Sequence, residues 1–393
     1  MILSYASTNF QSFRERTEVS FRLDNKAPQT VWSSNIKSVG RVAKVIAVIG
    51  PNASGKTSLV KPVAFLAWFI TGSFMSLPGR PIPIQPHFLS PKKPTEFEFD
   101  VESDGKLWRY ILRVTTDKVI HEALYVKHER FKYVFVRDWD EKSHSYIIKQ
   151  QDFGFAAAEA RKVRPNASLI STAAQYGVPL AINLTKIRIS TNVNAMGRRS
   201  ISEAYIDHAA GYFGGNDPHR LDMSRLLSSW DLGLSGVELK EVIQGNPQGE
   251  QSKRWLPFGI HSVRGKRHEL NFIHESSGTR GAFALLAQLL PALEEGGIAV
   301  IDEFENDLHP HMLSPILDLF ANPKTNKKNA QLLFTCHALE VLNTLPKAHV
   351  YLVEKNADCE SNAWRLDTVE GIRNDDNFYA KYMAGAYGAI PNI

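Results

Sequence analysis

The chain has 393 residues, of which 43% are hydrophobic and 22% charged, so it can bury a sizeable core and is not disordered throughout. Its 46 Lys and Arg against 41 Asp and Glu give a net charge of +5, which permits a nucleic-acid partner without requiring one. Only two cysteines are present, which excludes a disulfide scaffold and a zinc site built from several cysteines.

The N-terminal third, residues 1–150, is predicted to be rich in strands and to form the first lobe of an α/β domain. Hydrophobic residues alternate along 97–101 and 108–114, and the turn residues at 103–105 predict a hairpin between them. The run 45–49 is apolar at every position, which is typical of a parallel strand covered on both faces.

The chain is expected to be cytoplasmic and to have no contact with a membrane. Its first residues lack the basic and apolar regions of a signal peptide. Its longest apolar run, residues 63–70, is far shorter than the roughly 20 residues that a membrane helix needs.

Two further regions follow along the chain. Residues 151–255 combine helical patterns with glycine-rich breaks and are interpreted as a mainly helical insert. From 256 to 393, the short apolar strands 297–301, 331–335 and 349–353 alternate with helical segments. This alternation predicts a parallel sheet in a C-terminal lobe.

A phosphate-binding loop is the strongest motif. The pattern GxxxxGK[ST] lies between the strand 45–49 and a predicted helix, and its residues with the next serine are the predicted nucleotide ligands: Gly50, Pro51, Asn52, Ala53, Ser54, Gly55, Lys56, Thr57 and Ser58. Backbone N–H groups and the helix dipole favour phosphate there, Lys56 would reach the β- and γ-phosphates, and the Thr57 hydroxyl would bind Mg²⁺. Pro62 in the exit helix predicts a kink.

Two carboxylates follow the apolar run 298–301. Asp302 at the strand end is predicted to hold Mg²⁺ through water, and Glu303 to act as the general base toward the attacking water. Such a pair is common at strand ends by itself, but it gains meaning beside a complete phosphate loop. The sequence therefore predicts an enzyme that hydrolyses ATP.

The run from Asp302 to Pro310 resembles the extended Walker B motif and D-loop of ABC- and SMC-like ATPases. The resemblance is greatest to a branch found in bacterial anti-phage systems, the overcoming-lysogenization-defect type and its nuclease-free relatives. His337 matches the switch histidine of this class, the tail 382–391 is similar to the ending of the nuclease-free group, and an ABC-like signature is formed by Ser276, Ser277, Gly278, Thr279 and Arg280.

The resemblance covers roughly residues 1–150 and 256–393, and it implies a fold and an assembly. The fold would be an ABC/SMC-type P-loop head, with a mixed sheet, helices and an antiparallel β-subdomain. Two subunits would face each other head to tail around ATP, in a homodimer or a higher even-numbered oligomer, so that each signature closes on the partner's nucleotide. His337 would contact the γ-phosphate or the attacking water, as a catalytic residue beside Glu303 and Lys56.

Some residues that the resemblance assigns fit its pattern less well. Gln85 is the nearest candidate for the glutamine that touches magnesium, although its proline-rich surroundings differ from the usual pattern. Asn9, Phe13 and Arg14 are the candidates for an N-terminal contact with the nucleotide. Thr335 and Cys336 have no assigned chemistry, and Cys336 is expected in the core.

The predicted function is an ATPase that regulates a separate toxin or nuclease in anti-phage defence. A fused Toprim nuclease is not expected, because only 56 residues (393 − 337) follow His337. Basic clusters at 161–164, 198–199, 264–267 and 324–328 are either solvated faces or contacts with nucleic acid or an acidic partner. Two alternatives remain: a DNA-repair ATPase of the recombination-mediator type, and a scaffold that turns over ATP slowly.

Overall fold

The computed structural model describes residues 1–245, 251–305 and 308–391. The strands are β1 (Ile2–Thr8), β2 (Thr17–Ser20), β3 (Ser33–Ile36), β4 (Gly40–Ala43), β5 (Val45–Ile49), β6 (Thr95–Ser103), β7 (Lys106–Val114), β8 (Val119–Lys127), β9 (Phe131–Asp140), β10 (Ser145–Gln150), β11 (Ile189–Thr191), β12 (Val193–Asn194), β13 (Gly197–Arg198), β14 (Gly236–Gly245), β15 (Gln251–Val263), β16 (Lys266–Asn271), β17 (Ile298–Ile301), β18 (Gln331–Cys336), β19 (Val350–Lys355) and β20 (Ser361–Arg365). The α-helices are α1 (Lys56–Gly72), α2 (Ala157–Ala160), α3 (Leu169–Gln175), α4 (Pro179–Leu184), α5 (Glu203–Gly214), α6 (Asp217–Ser229), α7 (Ser277–Glu295), α8 (Leu313–Ala321) and α9 (Phe378–Met383).

A six-stranded sheet in the order β11-β17-β18-β5-β19-β20 forms the centre of the molecule. All neighbouring strands are parallel except β19 and β20. Along β5, Val45, Ala47 and Ile49 face one hydrophobic core, whereas Ile46 and Val48 face the other. This burial on both faces explains the unbroken apolar run, as predicted for a parallel strand.

An antiparallel sheet in the order β10-β9-β8-β7-β6-β1-β2 forms the second layer. Its β6–β7 hairpin turns at Asp104 and Gly105, both with positive φ, as the turn residues predicted. Helix α1 contributes Leu59, Val63 and Leu66 to the core that this sheet shares with the parallel sheet. The predicted fold class, an α/β P-loop head with an antiparallel β-subdomain, is therefore confirmed.

Helix α1 is continuous from Lys56 to Gly72, with the buried Pro62 inside it, so the predicted kink does not interrupt the helix. Within the described residues, the segment Lys56–Met75 is the one helix long and apolar enough to cross a membrane by length and composition. Its buried side chains in the core between the sheets make it a core helix of this fold.

The region 151–255, predicted to be a mainly helical insert, holds both helices and strands. It contains α2 to α6, but it also supplies β14 and the short strand β11, which pairs with β17 at the edge of the parallel sheet. A three-residue strand carries too little alternation to be recognised in a sequence. The domain boundaries at 150 and 255 stay a prediction.

A buried ion pair joins the antiparallel sheet to the segment before α3. Arg137 and Glu122 have fully buried side chains 3.2 Å apart. Arg137 also donates to the carbonyls of Ala167 and Val163, at 2.8 and 3.0 Å. Glu122 accepts from the Ser168 hydroxyl at 2.7 Å. Because each charge has several polar partners, the desolvation cost of the pair is offset.

Candidate functional site

The loop between β5 and α1 has the conformation of a phosphate cradle. Ala53 and Gly55 adopt positive φ values of 59° and 112°, which turn the backbone before the helix begins at Lys56. The Lys56 amine donates to the carbonyls of Gly50 and Pro51, both at 2.8 Å. Burial lowers the pKa of this amine, and the nearby Asp302 carboxylate opposes that shift. The loop therefore keeps a cation close to its own backbone.

The two loop glycines are required by close approach of the distant strands. A Cβ on Gly50 would lie 2.1 Å from the carbonyl oxygen of Val353 in β19. A Cβ on Gly55 would lie 2.4 Å from the Ser361 hydroxyl and 2.9 Å from that of Ser12. Ser361 in turn donates to the Ser54 carbonyl at 2.6 Å. The N-terminal segment and β20 thus hold the loop in place.

The other predicted ligands in the loop differ in how far they are buried. Ser54 is buried at 2% exposure, Pro51 and Ser58 are half-buried, and Asn52 and Ala53 are exposed. Exposed backbone at the loop tip leaves room for a polyanionic ligand, which suits a triphosphate. The assignment of these residues to the nucleotide stays a prediction.

Asp302 at the end of β17 meets the loop directly. The Thr57 hydroxyl donates to the Asp302 carboxylate at 2.8 Å, and the Thr335 hydroxyl at the end of β18 donates to it at 2.6 Å. Parallel strands bring these residues to one edge, since their carboxyl ends align. One carboxylate and one hydroxyl fit Mg²⁺, which keeps several waters and takes phosphate oxygens as ligands. No group of three or more His, Cys, Asp or Glu suited to a metal occurs among the described residues.

Glu303 sits in a constrained turn after β17. Its φ is 49°, an uncommon value for a residue with a side chain. Its backbone N–H donates to the Thr335 hydroxyl at 2.8 Å, and its carboxylate pairs with Arg198 at 3.0 Å. Asn192 fixes the preceding residue by bonding both backbone groups of Asp302, at 2.8 and 2.9 Å.

His337 is exposed just after β18. Its backbone N–H donates to the Glu305 carboxylate, which ties the end of β18 to the segment after β17. The D-loop residues Asn306 and Asp307 lie outside the described residues. Cys336 is in the core, as expected, and burial raises the pKa of its thiol. The role of His337 stays a prediction.

The predicted signature lies at the start of α7. Ser276 is the N-cap, its hydroxyl accepting from the Thr279 N–H at 3.1 Å, and Ser276 and Ser277 are exposed while Thr279 is buried. Gly278 is half-buried. Among the described residues, no hydrogen bond or ion pair joins this segment to the phosphate loop of the same chain. The start of α7 is thus open to a ligand or a partner.

The remaining predicted contacts fall in different places. Asn9 is buried, and its amide donates to the carbonyl of Lys93 at 2.9 Å while its oxygen accepts from the Ser90 hydroxyl at 2.6 Å, so it holds a loop together. Phe13 is a core residue at 0% exposure. Arg14 pairs with Glu360 at 2.8 Å, next to the Ser361 that supports the loop. Gln85 is exposed, and its backbone carbonyl accepts from the Gln11 N–H. Its role as a metal ligand stays a prediction.

Sequence reasoning missed four residues that shape this site: Thr335, Asn192, Arg198 and Ser361. Each is far from the two motifs in the chain and reaches them only through the sheet. Thr335 lies at the end of a predicted strand, but its place beside the acidic pair depends on the order of the strands in the sheet. Arg198 was recognised only as part of the basic cluster 198–199, and Asn192 had no recognisable pattern.

Comparisons with known proteins give one family and two structural neighbours. Residues 45–343 match the model of the family described as "AAA domain, putative AbiEii toxin, Type IV TA system". The SMC head domain from Thermotoga maritima is 14% identical, with a TM-score of 0.44, over 93% of this chain and 98% of that chain. The Smc head domain with an extended coiled coil from Pyrococcus furiosus, solved bound to the C-terminal domain of ScpA, is 11% identical, with a TM-score of 0.46, over 93% and 96%. A search of curated proteins gave no match.

Proposed function

The chain belongs to the AbiEii-type family of AAA domains, and on that premise we propose that it is a Mg²⁺-dependent ATPase that converts ATP and water to ADP and phosphate. The observation that carries this proposal is the network of Thr57, Asp302 and Thr335 at the mouth of the phosphate loop. The network joins Thr57 of the phosphate loop to Asp302 of the acidic pair, which lie 245 residues apart in the chain.

Each side chain has a role in this reaction. Lys56 exchanges its loop carbonyls for β- and γ-phosphate oxygens. Thr57 and Asp302 would hold Mg²⁺, which when bound would neutralise charge on the phosphates. Glu303 accepts a proton from the attacking water, because its carboxylate follows Asp302 directly and is 42% exposed. His337, exposed at the neighbouring strand end, contacts the γ-phosphate or that water.

The active form is a homodimer or a higher even-numbered oligomer with composite sites. Exposed Ser276 and Ser277 at the N-terminus of α7, with the half-buried Gly278, support this part of the proposal. Such a terminus offers free N–H groups and a favourable dipole to a phosphate. Because no bond ties it to its own loop in the described residues, the nucleotide it serves is that of a partner subunit.

The dimer regulates a separate effector, a toxin or a nuclease, in defence against phage. This proposal rests on the sequence resemblance. The family description places the AAA domain in a toxin–antitoxin system as a putative toxin, and it names no separate effector. Basic residues give less support to a DNA clamp: Arg198 pairs with Glu303, Arg267 pairs with Glu238 at 2.5 Å, and Arg164 donates to the Ser76 carbonyl at 2.7 Å. Affinity purification with ATP and the slow variant Glu303→Gln should retain the effector, whereas ADP should release it.

Complementation between two inactive chains tests the composite site. Lys56→Ala removes the phosphate cation and should abolish ATP binding, while Ser276→Arg should block the signature through bulk and charge. Mixed chains should regain activity, because a mixed dimer contains one site with an intact loop and an intact signature. One control is each variant by itself. The other is each variant mixed with wild type, which verifies that subunits exchange. Verified exchange without recovered ATPase activity would refute the head-to-tail arrangement.

A further inference from the structure

A short segment outside both nucleotide motifs contacts both acidic residues. This clamp segment, residues 192–198, begins where the parallel ladder between β11 and β17 ends at the pair Thr191 and Val300. Beyond this pair, the side-chain amide of Asn192 takes the place of a backbone partner for Asp302. It accepts from the Asp302 N–H at 2.8 Å and donates to the Asp302 carbonyl at 2.9 Å. The backbone of Asp302 is therefore fixed from the side of β11.

A tight hairpin brings Arg198 to the same place. Strands β12 and β13 pair Val193 with Arg198, and the Asn194 side chain accepts from the turn N–H of Gly197 at 3.1 Å. The turn is attached to α1, because the Lys61 amine donates to the Ala195 carbonyl at 3.0 Å. The start of the clamp segment is thus held against Asp302, and its turn is held against α1.

Arg198 acts on the side chain of Glu303. Its guanidinium lies 3.0 Å from Oε2 of Glu303, and the side chains are 28% and 42% exposed. The backbone of Glu303 is fixed by Thr335, but the flexible carboxylate arm is held in one place by this contact. With Oε2 engaged, Oε1 remains to accept the proton of a water molecule.

We propose that Arg198 is a positioning residue, which orients the Glu303 carboxylate for water activation, and that Asn192 aligns the backbone that carries both acids. The inference rests on the proposed function, since it requires Glu303 to be the general base. It assigns a role in hydrolysis to a segment that lies outside the phosphate loop, the signature and the acidic run.

Steady-state kinetics of Arg198→Ala tests this role. Because small errors in the placement of a catalytic group cost up to about 100-fold, we expect kcat to fall roughly 10- to 100-fold. The KM for ATP should change less than about twofold, because the interaction matters for the reaction and not for ground-state binding. Arg198→Lys should recover part of the loss, since it keeps the charge.

The matched control is Arg199→Ala, which removes the same charge from the next residue. In the described part of the chain, the Arg199 side chain forms no ion pair. Its kcat should stay within about twofold of wild type. An equal loss in both variants, or a rise in kcat on removing Arg198, would overturn the proposal.

A double-mutant comparison separates positioning from a general structural effect. In a Glu303→Gln background, adding Arg198→Ala should lower the residual turnover by less than about twofold, because the carboxylate it orients is gone. The full loss persisting in that background would overturn the role.

A wild-type chain without ATPase activity, or an unimpaired Glu303→Gln chain, would overturn the proposed function as well. An active wild type with an unaffected Arg198→Ala would overturn this inference alone.

Discussion

Replacing Thr335 by valine removes a hydroxyl that joins the two acidic residues, while it keeps the shape of the side chain. The hydroxyl donates to Asp302 at 2.6 Å and accepts from the Glu303 N–H at 2.8 Å. A bond to a charged acceptor contributes about 1.5–3 kcal/mol, and an N–H left without a partner costs about 1–3 kcal/mol. We therefore expect the free energy of unfolding to fall by about 2.5–6 kcal/mol.

Thermal unfolding gives the measurement. At about 2.1 cal/mol/K per residue, the unfolding entropy of the 393-residue chain is about 0.8 kcal/mol/K, so Tm should fall by about 3–7 °C. Thr335→Ser is the control, because it keeps the hydroxyl and loses one methyl group. Its Tm should stay well above that of the valine variant. Equal Tm values for the two variants would refute the reasoning from the hydroxyl.

Three further predictions concern stability. Burial lowers the pKa of His349 to about 4, so this histidine stays neutral in the folded chain between pH 7 and 5. The unfolded chain takes up a proton there below about pH 6.5, so the free energy of unfolding should fall as the pH drops. Urea titrations should show a loss of about 2 kcal/mol between pH 7 and pH 5. Gly50→Ala should destabilise the fold or prevent nucleotide binding measured by calorimetry, because its Cβ would lie 2.1 Å from the Val353 carbonyl oxygen. Arg137→Ala should cost about 3–5 kcal/mol in urea unfolding, because it leaves the Glu122 charge buried without its cation.

Matched variants check each of these predictions. His349→Gln should flatten the pH dependence, and an unchanged slope would contradict the assignment. Gly211→Ala is the control for the loop glycine, since a Cβ there meets nothing within 4 Å. Arg113→Ala removes the cation of the exposed pair with Glu96 and should cost less than about 1 kcal/mol. A comparable loss at Arg113 and Arg137 would refute the argument from burial.

The two motifs were predictable because each is contiguous in the chain. The loop 50–57 and the pair Asp302 and Glu303 carry their own flanking strands, so spacing and hydropathy were sufficient. Thr335 and Asn192 were not, because only the order β11-β17-β18-β5 makes them neighbours of Asp302. Strand order depends on packing over the whole sheet, which a local pattern does not encode.

Helix α1 shows how packing can outweigh local preference. Proline inside a helix costs about 3 kcal/mol and usually bends or ends it. Here the helix runs on from Pro62 to Gly72, because its apolar side chains are buried between the two sheets. Each buried large side chain contributes about 1.5–3 kcal/mol, so a few of them offset that cost. The kink at Pro62 stays a prediction.

The support of the phosphate loop by Ser361 and Val353 has a consequence for biosynthesis. The loop is made early, but the strands that brace it are translated about 300 residues later, as the separation of 307 residues between Ser54 and Ser361 shows. Contacts of such long range form late and slowly. A nascent chain still on the ribosome, or one cut short before β20, would carry the complete motif and yet lack its brace. Nucleotide affinity would then report that translation and folding had both reached the C-terminal strands.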